Sequence, residues 1–391
     1  MRRALLLLWG NLFLAFPLFP LQMVPKGKVA VVQAAGKGGK IRSSLLSMEG
    51  ELRVSSGETL FYGDGSLEVD ALANQTDGQV REAWFDYSEG WFSFRVGRQI
   101  VAWGEADGVR ITDVLSSRDL HTLYQDDKLA IDALRLTGSW ASHSFDFYWI
   151  PMFRVARLPG DDNPLAELDA YRILSPVLDR QEPERELAHG SYAVRFASRT
   201  PMIDYAFYGY WGYNDLPIVD IGKGMAVYER MGMVGFDADM PVGSFVFRME
   251  GAWYPWQALQ RKDLGGSERR NQIQALAGMD WMQGGWSLIL QYACDLVLGR
   301  TSGLNHERYE HKATISLSRS LCDDLLDLSL EAAAGLNDLD SVWHASMAYD
   351  VTDDLAIEGG WYLFLEGPER TGTYGTYRDY SMAYAKATYQ F

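Results

Sequence analysis

The chain has 391 residues, with 36 Lys and Arg against 52 Asp and Glu and a formal charge of −16 at pH 7. Its length admits two ordinary soluble domains or one large barrel, and its acidic balance argues against nucleic-acid binding, which needs a basic face. Aromatics reach 13%, with 13 Trp and 21 Tyr, as a barrel with two interfacial girdles would need, and two cysteines are too few for a disulfide scaffold.

The N-terminus reads as an export signal. Arg2 and Arg3 precede an apolar stretch from Ala4 to Leu21, and Val32-Gln33-Ala34 offers a cleavage site after Ala34. Pro17, Pro20 and Pro25 argue against an uninterrupted spanning helix. Residues 1–34 carry four basic and no acidic side chains, so their removal takes the charge from −16 to −20. Residues 35–391 are then the mature domain. No cysteine follows the apolar run, so no lipoprotein is indicated.

Beyond residue 44 no run of 18 apolar residues occurs. Alternation recurs instead, as in Leu326-Asp327-Leu328-Ser329-Leu330-Glu331-Ala332 and Ala313-Thr314-Ile315-Ser316-Leu317-Ser318. Period two puts the two sets on opposite faces of a strand. The segments are about as long as the roughly 9–11 residues a tilted strand needs to cross a bilayer. Short turns are expected at 88–90, 141–142, 199–201, 240–243, 283–285, 322–324 and 352–354. Seven such turns, with both termini on their rim, predict eight hairpins and a closed antiparallel transmembrane barrel of 16 strands. Fourteen strands remain an option, as do 18 if segment 57–78 hides two more.

The outward set should include Phe92, Phe94, Phe145, Phe147, Trp149, Tyr205, Phe207, Trp286, Leu288, Leu290, Trp361 and Leu363. The inward set should include Arg95, Asp146, Arg195, Asp204, Arg248, Glu250, Asp327, Glu331, Glu358 and Lys386. A charge facing lipid at the midplane costs about 2–4 kcal/mol, so both signs on one face imply water or ion pairs inside. The last strand, Tyr380 to Phe391, ends in an aromatic with Tyr389 on the same face. Such an ending resembles the signal read by the outer-membrane barrel assembly machinery.

One stretch is distinctive: Val96-Gly97-Arg98-Gln99-Ile100-Val101-Ala102-Trp103-Gly104-Glu105-Ala106-Asp107-Gly108, then Thr112-Asp113-Val114-Leu115-Ser116 and Arg118-Asp119-Leu120. It resembles the porin-like outer-membrane family called domain of unknown function 1302 (DUF1302). There a strand ends in Gly-Arg-Gln, a Trp-Gly follows, and an Asp-rich loop closes over it. The match covers about residues 90–125 and lacks the Pro that usually precedes the family's loop Asp. The resemblance implies channel or export work in a bacterial outer membrane. Within this loop Arg98 is expected to pair with Glu105, Asp107 or Asp113. The loop reads either as a packed stiffener of the wall or as a plug that meets the solute.

Segment 151–189 follows the fifth strand of the 16-strand count and resembles, in position and length, the loop that narrows general diffusion porins. Its Arg154, Arg157, Asp161, Asp162 and Arg172 are constriction candidates. The acidic mature chain predicts a mild cation preference.

No catalytic signature or cofactor motif is found. His306 and His311 are five residues apart, on opposite faces of a strand, so no metal site is expected. The expected function is passive passage of small solutes, with a non-conducting adhesion or envelope-structural barrel as the rival. Expected partners are outer-membrane lipid, lipopolysaccharide, the assembly machinery and an unidentified solute.

Overall fold

In the computed structural model the described residues are 21–72, 74–104, 109–120, 128–158, 179–184, 186–369 and 372–391. Eighteen long antiparallel strands form one sheet. They are β1 Gln22–Gly36, β2 Ile41–Ser56, β3 Thr59–Asp70, β4 Gln75–Glu89, β5 Phe92–Gln99 and β6 Ile131–Trp140. Next come β7 His143–Ile150, β8 Ser191–Arg199, β9 Asp204–Tyr213, β10 Arg230–Val242, β11 Phe245–Gln260 and β12 Ser267–Gln283. The last are β13 Trp286–Leu298, β14 Tyr309–Leu321, β15 Leu326–Gly335, β16 Asp340–Asp350, β17 Leu355–Leu365 and β18 Met382–Gln390.

The sheet closes on itself. β1 pairs with β18 from Lys28↔Gln390 to Gly36↔Met382. Gly27 and Phe391 exchange two backbone hydrogen bonds, 2.8 and 3.0 Å, and a Cβ on Gly27 would collide with the Phe391 ring. Closure removes the unpaired edges that lipid cannot satisfy. All sixteen strand segments expected from alternation are present, and all seven expected turns join strands at one rim. An eighth, at residues 57–58, joins β2 to β3 there. Gly284 and Gly285 both take positive φ, 60° and 78°, as a tight hairpin turn demands. The opposite rim carries the longer loops.

The count of 16 is corrected to 18, the larger of the open alternatives. One missed strand is β3, inside segment 57–78. The other is β1, which overlaps residues 22–34 of the expected leader. Lys28 on β1 faces Glu49 of β2 at 3.0 Å, and Glu49 also holds Arg81 at 3.0 Å. Cleavage after Ala34 and the presence of β1 in the wall exclude each other, because that cut removes most of the strand that closes the barrel.

The outer face follows the expected parity. Phe145, Phe207, Leu290, Trp361 and Leu363 are exposed on it, while Asp146, Glu250 and their inward neighbours are buried. A closed barrel with an apolar outer belt and charges inside is a membrane-spanning architecture. Cys294, on β13, and Cys322, in a turn, are both free thiols.

Candidate functional site

The lumen is where the sequence's charged residues converge. On β5, β6, β8 and β11 the inner wall carries arginines, each beside a carboxylate. Arg95 meets Asp86 at 3.0 Å and lies 3.7 Å above the Trp84 ring. Arg135 and Arg195 share Asp146, at 2.8 and 3.8 Å, and Thr137 donates to the same carboxylate. Arg248 meets Asp280 at 2.7 Å. Asp146 is buried, so removing both arginines would leave an uncompensated charge away from water.

Across the barrel the wall is lighter. Inward positions Thr314, Ser316, Ser318, Ser329 and Ser346 are half-buried and short. Glu358 ties Lys386 at 3.3 Å and Tyr384 at 2.5 Å, and Glu331 approaches His344 at 3.6 Å. Eighteen strands enclose enough width for a water-filled passage unless something fills it.

What fills part of it is the loop after β5, residues 100–130. Its described residues fold inward against β6 to β13. Val101, Trp103, Ile111 and Leu115 form one apolar cluster with Tyr148, Tyr208, Met233 and Tyr254 of the wall. The Trp103 ring lies 4.9 Å from Tyr208 and 5.8 Å from Tyr148. Apolar burial of this size stabilises each large side chain by about 1.5–3 kcal/mol, so the loop is docked.

Polar contacts fix its register. Asp113 accepts from the Trp103 N–H at 3.2 Å and pairs with Lys128 at 2.5 Å and Arg110 at 3.4 Å. Glu250, on β11, accepts from both the Thr112 N–H and its hydroxyl, each at 2.7 Å. The Tyr254 hydroxyl donates to the Ile111 carbonyl. Gly104 sits where this grip is tightest: its φ is +78°, and a Cβ would stand 2.6 Å from the Glu250 carboxylate. That explains chemically why Trp-Gly occurs here.

A second tier joins this loop to its neighbours. Arg118 forks onto Asp215 of loop 214–229, at 2.6 and 3.0 Å, and its N–H donates to the same carboxylate. Burial would push the Asp215 carboxyl up, but Arg118 overrides it and holds the carboxyl below its ordinary range. Arg157 bridges Asp77 at 2.8 Å and Asp119 at 3.6 Å. Arg154 donates to the Ala130 carbonyl at 2.5 Å.

The structure therefore brings Asp113, Glu250, Arg154 and Arg157 to one docked loop, and places Arg95, Arg195 and Arg248 on the surrounding wall and Glu331 on the wall opposite. Glu105, Asp107, Asp161, Asp162 and Arg172 lie outside the described residues. Arg98 is a correction. It alternates with Phe94 and Val96, and its partners on β6 follow Leu134 and Leu136, so it lies on the outer face near the long-loop rim. There it forks onto Asp132 at 3.1 Å, not onto Asp113. Its parity is legible in the alternation of Phe94, Val96 and Arg98.

The inward loop also relocates. Counting β1 and β3, the loop after the fifth strand is 100–130, whereas 151–190 follows the seventh. The described start of the latter, 151–158, packs on the former, with Ser117 donating to the Arg154 carbonyl at 2.6 Å. Residues missed from sequence are Thr112, Arg135, Lys128 and Asp215. Tyr148 was missed as well, although the period-two run Asp146-Phe147-Tyr148 carries the signal for a lumen tyrosine.

The His306 and His311 rings point to different surroundings. The His306 ring turns inward to Asp295 and Glu310, at 3.5 and 3.1 Å, while His311 stacks on Tyr292 of the outer face. Separately, Glu184, Glu186 and His189 bring ligand atoms within 4.8 Å of one another on the exposed side of loop 151–190.

No family model matches the chain, and no curated protein matches it. Solved structures do. Acinetobacter baumannii OccAB1 aligns with a TM-score of 0.55 at 10% identity, over 95% of this chain and 96% of that one. Pseudomonas aeruginosa OccK10 (OpdN) gives 0.56 at 10% identity, over 94% and 99%. Pseudomonas aeruginosa OccK2 (OpdF), solved in complex with glucuronate, gives 0.56 at 10% identity, over 95% and 97%. At this identity the likeness is one of fold, and it extends over nearly the whole length of both chains.

Proposed function

We propose that this chain is a porin-like channel of a bacterial outer membrane that passes small solutes passively. One observation carries the reading. A closed barrel with an apolar exterior has a charged inner wall, and among the described residues the loop after β5 docks on that wall from one side. Ion pairs alone could also fill a closed lumen, but eighteen strands enclose a width that the docked loop occupies from one side. The fold shared with the Occ structures supports the reading, as does the Gly-Arg-Gln and Trp-Gly stretch that resembles DUF1302. Short turns face the periplasm and long loops face outward, by the usual rule for such barrels.

Export in this reading requires a leader that ends before Gln22. Residues 1–21 contain two basic and no acidic residues, so the mature charge is −18 (−16 minus 2). Arg95 and Arg248 each have their own carboxylate, and Arg135 and Arg195 share Asp146 with Asp237 also near Arg195, so the named wall arginines add no net positive field. A mild cation preference follows. Phe391 presents the last strand to the assembly machinery, and lipid and lipopolysaccharide surround the belt.

Single-channel recording in planar bilayers tests this. Discrete conductance steps with a reversal potential shifted toward cations are expected. A folded barrel that inserts yet passes no current would establish the rival, a non-conducting structural or adhesive barrel.

A further inference from the structure

At the long-loop rim, away from the docked loop, a cavity of about 500 Å³ opens between β14, β15 and β16, the loops 299–308 and 336–339, and residues 372–377. Its lining includes Glu307, Glu310, Asp338 and Asp340, with Lys312 as the one ammonium. A group of carboxylates alone would be unremarked at a barrel mouth. Asp340 differs, because it is only 1% exposed. Its Oδ2 accepts from the Tyr374 N–H at 2.5 Å and the Gly375 N–H at 2.9 Å. Its Oδ1 is buried and has no hydrogen-bond donor.

A buried carboxylate oxygen without a donor costs free energy unless a cation or water completes it. The backbone has been cleared around this one. A Cβ on Gly335 would collide with Oδ1, and one on Gly372, where φ is +100°, would collide with Oδ2. Beside the carboxylates the cavity offers the oxygens of Asn305, Asn337, Thr373 and Thr376, while the Nδ1 of His311, which also lines it, is taken up by the Tyr292 hydroxyl at 2.7 Å. All-oxygen donor sets of irregular shape suit calcium, which takes about 6–8 ligands in flexible geometry, better than magnesium, which wants a strict octahedron. Glu310 is already engaged by His306 at 3.1 Å, and Glu307 accepts from Asn337 at 2.6 Å.

We propose that this mouth cavity binds a calcium-type divalent cation, with Asp340 Oδ1 as its fixed ligand and Asp338 and Glu307 closing over it from their loops. The ion ties three loops together and reduces the negative charge at the entrance. The inference does not depend on whether the barrel conducts.

Terbium luminescence on the purified, detergent-folded barrel tests it, because Tyr377 lines the cavity and Tyr374 adjoins it as sensitisers. Wild type should show saturable emission that excess Ca²⁺ displaces, with affinity in the roughly 10⁻⁴–10⁻³ M range of extracellular calcium modules. D340N still accepts the two backbone N–H bonds but lacks the charge, and should bind at least about tenfold more weakly. The doubly substituted E184Q/E186Q chain should bind as wild type does. If D340N fails to give the heat-modifiable band of a folded barrel, D338N takes its place under the same criterion. No saturable site in wild type, undiminished binding in the folded variant, or loss of binding in E184Q/E186Q overturns the proposal.

Discussion

Glu250 is the residue whose removal should most change the lumen. Its carboxylate takes two hydrogen bonds from Thr112 and is almost wholly buried. Hydrogen bonds to a charged group contribute about 1.5–3 kcal/mol each, so Glu250→Ala should weaken the docking of residues 100–130 by about 3 kcal/mol or more. Each 1.4 kcal/mol is a factor of ten, which makes the undocked population roughly 100-fold larger. Amide hydrogen exchange at Thr112 reads that factor directly. Single-channel recording should show a larger mean conductance with more open-channel noise, because the obstruction spends more time away from the wall. The barrel itself should survive, since its ladder of backbone bonds is untouched. Thr112 exchange and conductance both equal to wild type would show that the Glu250 contact does not hold the loop, and the account of the constriction would fail.

The remaining expectations are narrower. Gly104→Ala places a methyl group against Glu250 and Thr112 at a positive φ, so it should reproduce part of the Glu250→Ala phenotype in the same exchange measurement. Arg154→Ala with Arg157→Ala removes two positive charges and leaves Asp77 and Asp119 without Arg157. The reversal potential in a salt gradient should move further toward cations, and an unmoved potential would place 151–158 outside the conduction path. For His306, burial pushes the imidazole pKa down, but Asp295, the Glu307 carbonyl and Glu310 outweigh it and raise the pKa to about 9. A raised pKa stabilises the fold below the unfolded value of about 6.5 and loses that effect as pH climbs through 9. Exchange protection in 299–308 should therefore fall between pH 6.5 and 9.5, and His306→Asn should flatten the dependence. Mass spectrometry of the barrel recovered from outer membranes should give an N-terminus ahead of Gln22; a chain beginning at Ala35 would lack β1 and contradict the observed closure.

Strand parity was legible because it is local. A period of two in residues such as Phe145, Asp146, Phe147 and Tyr148 reports which face meets lipid before any strand has found its neighbour. The seven turns were legible for the same reason, being set by Gly, Asp and Pro within a few residues. β1 was not. Gln22 to Gly36 contains Val29, Val31 and Val32 beside a leader-like run, and a weak strand next to an apolar segment reads as part of it. Only pairing with Phe391 and Ser44 to Ser55, far away in sequence or across a turn, shows that it belongs to the wall. That one omission, with β3, shifted the loop count and moved the expected constriction from 100–130 to 151–189.

Individual charged residues were identified more readily than their partners. Arg195, Arg248 and Glu250 alternate visibly with apolar neighbours, so their inward direction follows from the chain alone. Their roles do not. Glu250 grips Thr112 and Arg118 grips Asp215, 138 and 97 residues away, and nothing local encodes contacts of that span. A membrane barrel, its parity and its rim of short turns are legible in the chain alone, because backbone satisfaction in lipid and side-chain alternation act over a few residues. The tertiary structure alone decided the closing strand, the loop that enters the lumen and the partner of each buried charge, because those depend on which distant segments a closed ring brings together.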